Sequence, residues 1–205
     1  MVNARAALER LREGNRRFAA NKPAHRVDAE TLRRDLAGGQ QPFAIIVGCS
    51  DSRVPAEIVF DQHLGDLFVI RVAGNVVAPS QIGSIEFAAA NFGTRLVVVM
   101  GHSNCGAIEA TMQELLQPSA STSRNIGAIV EFIRPSVEPL LANSAGSDPE
   151  LIAAQAVRAN VQASVERVRH GSEIIEQLER NDGLLIVGAE YCLETGLVDF
   201  FDGAF

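Results

Sequence analysis

The feature that most constrains the fold is a set of three runs that are apolar at odd and even positions alike. They are PFAIIVG (42–48), RLVVVMG (95–101) and GLLIVGAEY (183–191). A strand with one wet face alternates polar and apolar residues. A continuous run instead predicts a strand covered on both faces, as in a parallel sheet with helices on either side. DLFVIRVAG (66–74) predicts another strand of this kind. Helical stretches separate the runs. SQIGSIEFAAANFG (80–93) ends at Gly93, CGAIEATMQELL follows Gly101-His102-Ser103-Asn104, and roughly 125–181 is helical apart from ANSAGSDPE (142–150). The expected fold is α/β, a central mostly parallel sheet of about four strands flanked by helices. LETGLVDFF turns at Glu194-Thr195-Gly196 and predicts an added edge strand.

Nothing in the chain resembles a repeat or a linker long enough to divide it, so residues 1–205 read as a single domain. Residues 1–37 form an N-terminal helical arm. An amphipathic helix over 3–20 carries Leu8, Leu11 and Phe18 on one face, NKPAHR is a loop, and a second helix over 28–36 stops at Gly38-Gly39. These helices precede the first strand and are expected to pack on a partner subunit.

Composition narrows the function. The 205 residues are 47% hydrophobic, enough for a substantial core. A net charge of -7 and a pI near 5.1 argue against a nucleic-acid partner, which needs a basic face. They leave room for a small anion, for which one arginine suffices. No apolar run approaches the ~20 residues of a membrane span. MVNARAALERLREGNRRF has no apolar signal core, and Glu9 and Glu13 are unlike a transit peptide, so a cytoplasmic protein without a membrane partner is expected. Three cysteines, an odd count, favour metal binding or burial over a disulfide framework.

Two predicted strands end in chemically loaded turns, Cys49-Ser50-Asp51-Ser52-Arg53 and Gly101-His102-Ser103-Asn104-Cys105. Sites in open parallel sheets are built at the carboxyl ends of strands. A single cysteine there is usually a small buried hydrophobe. Cys49, His102 and Cys105 on neighbouring strand ends are instead a zinc ligand set, and three ligands leave the fourth position open, the catalytic pattern. Asp51 follows Cys49 by two residues, so in extended chain it lies on the same side. It can accept a hydrogen bond at the metal, and Arg53 can hold it ionised in a bidentate pair. Alternatively, Asp51 released from Arg53 can close the site as a fourth ligand.

CSDSRVPAE, LGDLFVIRVAGN and GHSNCGAI, with VGAEYCLETGLVDF near the far end, resemble the β-class carbonic anhydrases. The resemblance implies reversible hydration of CO2 to bicarbonate through zinc-bound hydroxide. It places the zinc ligands on Cys49, His102 and Cys105 and the Asp–Arg dyad on Asp51 and Arg53. It also implies substrate contacts at Gln40, Phe68 and Gly106, and a homodimer or homotetramer with the site near the subunit interface. A tyrosine common in the family is Phe87 here. One subclass binds bicarbonate at a second site through a Trp–Arg–Tyr group; Arg71 matches the arginine, but Ile46 stands at the tryptophan position and the chain has no Trp. The second site is therefore incomplete, and Asp51 is expected to stay on Arg53 at neutral pH. His63 is chemically suited to shuttle protons, although a solvated loop histidine is the plainer reading. His25 and His170 carry no assigned role, and Cys192 reads as structural. Rival functions are hydrolysis of carbonyl sulfide or carbon disulfide at the same zinc, and a non-catalytic zinc-binding or redox-sensing protein.

Overall fold

The structure, a computed structural model, describes residues 2–24, 28–118, 123–143, 146 and 148–204. His25 and part of the 142–150 patch lie outside the described residues. Five strands, β1 (Ala44–Gly48), β2 (Leu67–Arg71), β3 (Leu96–His102), β4 (Leu185–Tyr191) and β5 (Val198–Asp202), form one sheet in the order β2-β1-β3-β4-β5. The first four are parallel, and β5 pairs antiparallel with β4 at the edge.

Every residue of β1 and β3 is buried, as their continuous apolar runs predict. In β2 only Leu67 and Ile70 are buried, because this strand ends the sheet. Alternation sorts the side chains into two cores. Ile46, Val98, Met100, Val187 and Ala189 face a layer that includes Leu8 and Leu11 of α1 (Ala4–Ala19) and Val59 of α3 (Ala56–Val59). Ile45, Val47, Val97, Val99 and Ile186 face α4 (Pro79–Asn91) through Ile85, Ala88 and Ala89. The long helical stretch resolves into α6 (Arg124–Ala142), α7 (Pro149–His170) and α8 (Glu173–Asn181). α7 serves both cores, with Ala156 and Val157 on the first and Val161, Val165 and Val168 on the second.

The two N-terminal helices differ in how far they pack on their own chain. α1 buries Ala4, Ala7, Leu8, Leu11, Gly14 and Asn15 against its own chain. Gly14 permits the approach: a Cβ there would fall 1.9 Å from the Phe60 carbonyl oxygen. Buried Asn15 donates through Nδ2 to the carbonyls of Val59 (3.1 Å) and Gly196 (2.8 Å) and accepts from the Val198 amide (2.8 Å). Its amide thus ties α1 to α3 and to the β4–β5 turn. α2 (Ala29–Leu36), capped by Asp28 accepting from the Thr31 amide, buries none of its residues.

Candidate metal centre

Register sets the site. Gly48 is level with Met100, and His102 with Tyr191, so β1 and β3 release their chains side by side. β3 carries His102 on the same face as Val98 and Met100. The Ser103 amide then bonds the Tyr191 carbonyl, Asn104 takes a left-handed φ of 54°, and Cys105 becomes the N-cap of α5 (Gly106–Leu116). Cys49, His102 and Cys105 are 5%, 1% and 2% exposed, and their Sγ, ring nitrogen and Sγ atoms lie within 4.8 Å of one another. Thiolates bind zinc at about 2.3 Å and imidazoles at about 2.0–2.1 Å, so tetrahedral donors stand about 3.5–4 Å apart.

The imidazole supplies the test of fit. His102 Nδ1 is 2.9 Å from the Ser103 carbonyl oxygen, which can only accept, so Nδ1 carries the proton. That leaves Nε2 with its lone pair, buried and without a hydrogen-bond partner among the described residues. A buried polar atom without a partner is costly unless something occupies its lone pair. A bound zinc would do so, and the Nδ1–H···O bond fixes the ring as a ligating histidine requires. Zn2+ with two thiolates and a neutral imidazole sums to zero charge, so the buried site suits the ion.

The sulfurs are electrostatically prepared. The amides of Asp51 and Gly74 each stand 3.4 Å from Cys49 Sγ. Cys105 sits at the start of α5, where the Ala107 and Ile108 amides favour its thiolate. With no metal between them the two thiols share a proton. The Cys105 thiol donating to Cys49 holds Cys49 down to about 4, and the same bond, with burial, pushes Cys105 above the ordinary thiol range.

Asp51 stands beside this triangle, with Oδ2 3.9 Å from His102 Nε2. Arg53 donates from Nε to Oδ1 (2.9 Å), from Nη2 to Oδ2 (2.7 Å) and from its own amide to Oδ1 (2.9 Å). This bidentate grip holds the Asp51 carboxyl well below the usual carboxylate range. The route to it differs from the expected straight alternation. β1 ends at Gly48, and a turn closed by the Val54 amide on the Asp51 carbonyl (3.1 Å) folds Arg53 back onto Asp51. Arg53 Nη2 also reaches the Asn104 carbonyl (3.2 Å), joining the two ligand-bearing turns. Arg71 donates from Nε to the Cys49 carbonyl (2.9 Å) and from Nη2 to the Asp51 carbonyl (2.5 Å). Sequence reading singled out Arg71 only through the family resemblance. That it clamps this turn was hidden, because the contact depends on the β1–β2 register that sets Arg71 level with Gly48.

The other predicted positions lie elsewhere. Gln40 is exposed ahead of β1, and the strand, about 16 Å long at about 3.3 Å per residue, separates it from its own chain's cluster. Phe68 is level with Ile45, on the α4 face, within an aromatic group with Phe87 (6.3 Å between ring centroids) and Phe92 (6.1 Å). His63 precedes β2 at that same end. Gly106 is exposed beside Cys105, with nothing within 4 Å of where a Cβ would stand. Ile46 is fully buried in the first core. Cys192 lies half-buried in the β4–β5 turn, outside the cluster, and hydrogen bonds from Thr195 lower its pKa. His170, at the end of α7, faces Glu166 and Glu176.

Known proteins give the same picture. The family model described as "Carbonic anhydrase" matches residues 44–198, which contain all five residues of the cluster and dyad. Carbonic anhydrase of Mycolicibacterium smegmatis is 40% identical over 195 residues, 95% of this chain and 91% of that protein. Carbonic anhydrase 2 of Mycobacterium tuberculosis is 38% identical over the same shares. A tetrameric β-carbonic anhydrase of Sordaria macrospora superposes with a TM-score of 0.75 at 24% identity, over 84% of this chain and 87% of that one. In sequence, in fold and in its Cys–His–Cys cluster, this chain belongs to the β-carbonic anhydrase family.

Proposed function

We propose that this carbonic anhydrase interconverts CO2 and bicarbonate at zinc held by Cys49, His102 and Cys105, with Asp51 and Arg53 as its proton-directing pair. The observation that carries the assignment is the Asp51 carboxylate, fixed by three bonds from Arg53 and poised 3.9 Å from the free lone pair of His102. Zinc, when bound, supplies a Lewis acid that lowers the pKa of water from about 15.7 toward about 7. The protein supplies direction. Because Arg53 keeps Asp51 ionised, Oδ2 can only accept a hydrogen bond, so an O–H donor in the site must turn its proton toward Asp51 and its lone pair away. The lone pair then faces the carbon of CO2 in a fixed orientation, which is where positioned groups lower a barrier. Arg53 also keeps Asp51 from taking the fourth ligand position, so the open state is the resting one near neutral pH. The missing Trp at position 46 supports that reading.

Gln40, Phe68 and Gly106 complete the proposal as substrate contacts. Gln40 and Phe68 lie at the far end of their own sheet, so they would serve the centre of a second copy, in a homodimer or homotetramer. A cytoplasmic location belongs to the same reading; three free cysteines suit a reducing compartment, and no helix among the described residues is long and apolar enough to cross a membrane.

Asp51→Asn tests the dyad. It keeps the shape but cannot hold a negative charge, so stopped-flow CO2 hydration falls by about 10²–10⁴-fold, the usual worth of a positioned proton acceptor. Zinc content stays at the wild-type value. Unchanged hydration with zinc retained sinks the assignment of Asp51.

A further inference from the structure

We infer that Asn160 is a positioning residue for the metal centre, holding the Gly74 amide on the Cys49 sulfur from the middle of α7. The inference rests on the zinc reading above. Asn160 belongs to none of the motif segments that carry the family resemblance. It is 0% exposed, and its Nδ2 donates to the Gly74 carbonyl oxygen at 2.8 Å. On the other side of the same residue, the Gly74 amide stands 3.4 Å from Cys49 Sγ. One buried side chain is therefore two hydrogen bonds from a metal ligand that lies more than a hundred positions away in sequence.

The turn needs such an anchor. Gly74 and Asn75 both adopt left-handed backbone, with φ of 66° and 45°. The amide that meets the sulfur and the carbonyl that meets Asn160 belong to two different peptide planes, linked only by the φ and ψ of Gly74. Glycine is the residue with the softest φ and ψ. Any larger residue is disfavoured here, since the backbone is left-handed and a Cβ would crowd Ile133 Cδ1 at 2.8 Å and the Ala107 Cβ at 3.1 Å. Packing thus imposes glycine, glycine leaves the two planes free to rotate, and the bond from Asn160 fixes them. Only half of the Asn160 amide is used: Oδ1 has no partner among the described residues. A residue there merely to fill the core would cost less as leucine, because an unpaired buried acceptor is penalised. Its bond to Gly74 is the contact that offsets this.

An N–H donor on a ligating sulfur tunes how much charge that thiolate gives the metal. Loss of such outer partners typically costs about 10–100-fold in metal affinity. Zinc affinity is measured by chelator competition for the wild type, Asn160→Ala, Asn160→Leu and Ser164→Ala. Ser164 is fully buried one turn further along α7, with its hydroxyl unpartnered among the described residues, and is the control for core polarity alone. The wild type binds one zinc per chain; if it does not, the metal reading itself fails. Given that it does, both Asn160 variants raise the dissociation constant about 10–100-fold and shift the thiolate-to-metal absorption of the cobalt-substituted protein. Ser164→Ala leaves both within about twofold. Asn160→Leu keeps the branched shape without the amide and leaves no cavity, so it separates lost packing from a lost bond. A folded Asn160→Leu with wild-type affinity and cobalt spectrum overturns the inference, as does an equal loss in Ser164→Ala. Should both Asn160 variants fail to fold, the wild type still decides: in protein loaded with NMR-active cadmium, a coupling between metal and the Gly74 amide proton is expected, and its absence overturns the inference.

Discussion

The two ends of the central sheet are built on different terms. At the carboxyl ends of β1 and β3 every functional group is held by its own chain: Cys49, His102 and Cys105 are buried, Asp51 is gripped by Arg53, and Arg71 clamps the turn from beneath. At the opposite end Gln40 is exposed, α2 buries nothing, and Phe87, in the group with Phe68 and Phe92, is 53% exposed. The first end is a site already assembled. The second offers polar and aromatic groups a strand's length from that cluster. The contrast teaches that the Cys49–His102–Cys105 cluster is complete within one chain, while the contacts proposed at Gln40 and Phe68 would have to come from a second.

The contrast can be broken or sharpened in order of expected effect. Replacing a ligand, His102→Ala or Cys105→Ala, strikes the assembled end: zinc is lost and CO2 hydration falls more than about a thousandfold. Metal analysis beside stopped-flow assay reads both, and stoichiometric zinc with near-normal hydration in either variant would place the centre elsewhere. Next is pH. In the metal-free chain Cys105 keeps its proton above the ordinary thiol range because Cys49 carries the shared charge, and zinc needs both sulfurs ionised. Binding therefore releases a proton, and zinc affinity drops about tenfold for each unit of pH lost. Burial works against protonation of His102, but Cys49 and Ser103 outweigh it and raise its pKa, so the slope steepens toward about a hundredfold per unit once the imidazole is charged. Titrations in buffered zinc from neutral to mildly acid pH measure this; a flat profile contradicts the shared proton. Smallest is Gln40→Ala, about tenfold in hydration for one lost polar contact, with zinc unchanged. Co-assembly with Cys49→Ala distinguishes the ends: if Gln40 serves a partner's centre, mixed assemblies exceed the residual activity, about a tenth, that Gln40→Ala keeps alone. No recovery in mixed dimers would return Gln40 to a local role.

Much of the sheet was legible because periodicity reports burial directly. β1, β3 and β4 announce themselves as unbroken apolar runs, and β5 by the turn at Glu194-Thr195-Gly196. α1 was legible as a helix but not in its docking. An amphipathic stripe shows that a surface is covered, not whose, and Gly14 and Asn15, which let α1 close on Phe60 and the β4–β5 turn, carry no hydrophobic signal. The dyad was found for a reason that needed amending, since a turn rather than an extended segment returns Arg53 to Asp51. Asn160 was invisible, because one asparagine in a long helix looks like any other until the fold sets it under Gly74.

Residue pattern alone specified the parallel α/β sheet, the candidate metal-binding residues Cys49, His102 and Cys105, and the carboxylate and guanidinium of Asp51 and Arg53 just after Cys49. These rest on residue type and on the short spacing within each turn; that Cys49 meets His102 and Cys105 follows from β1 and β3 lying side by side. Only the tertiary structure decided which chain α1 covers, that Gln40 and Phe68 stand a strand's length from their own centre, and that Arg71 and Asn160 brace the turns around Cys49. Those facts depend on register and helix packing, where many weak contacts spread over distant residues choose the arrangement and no local run of sequence records the choice.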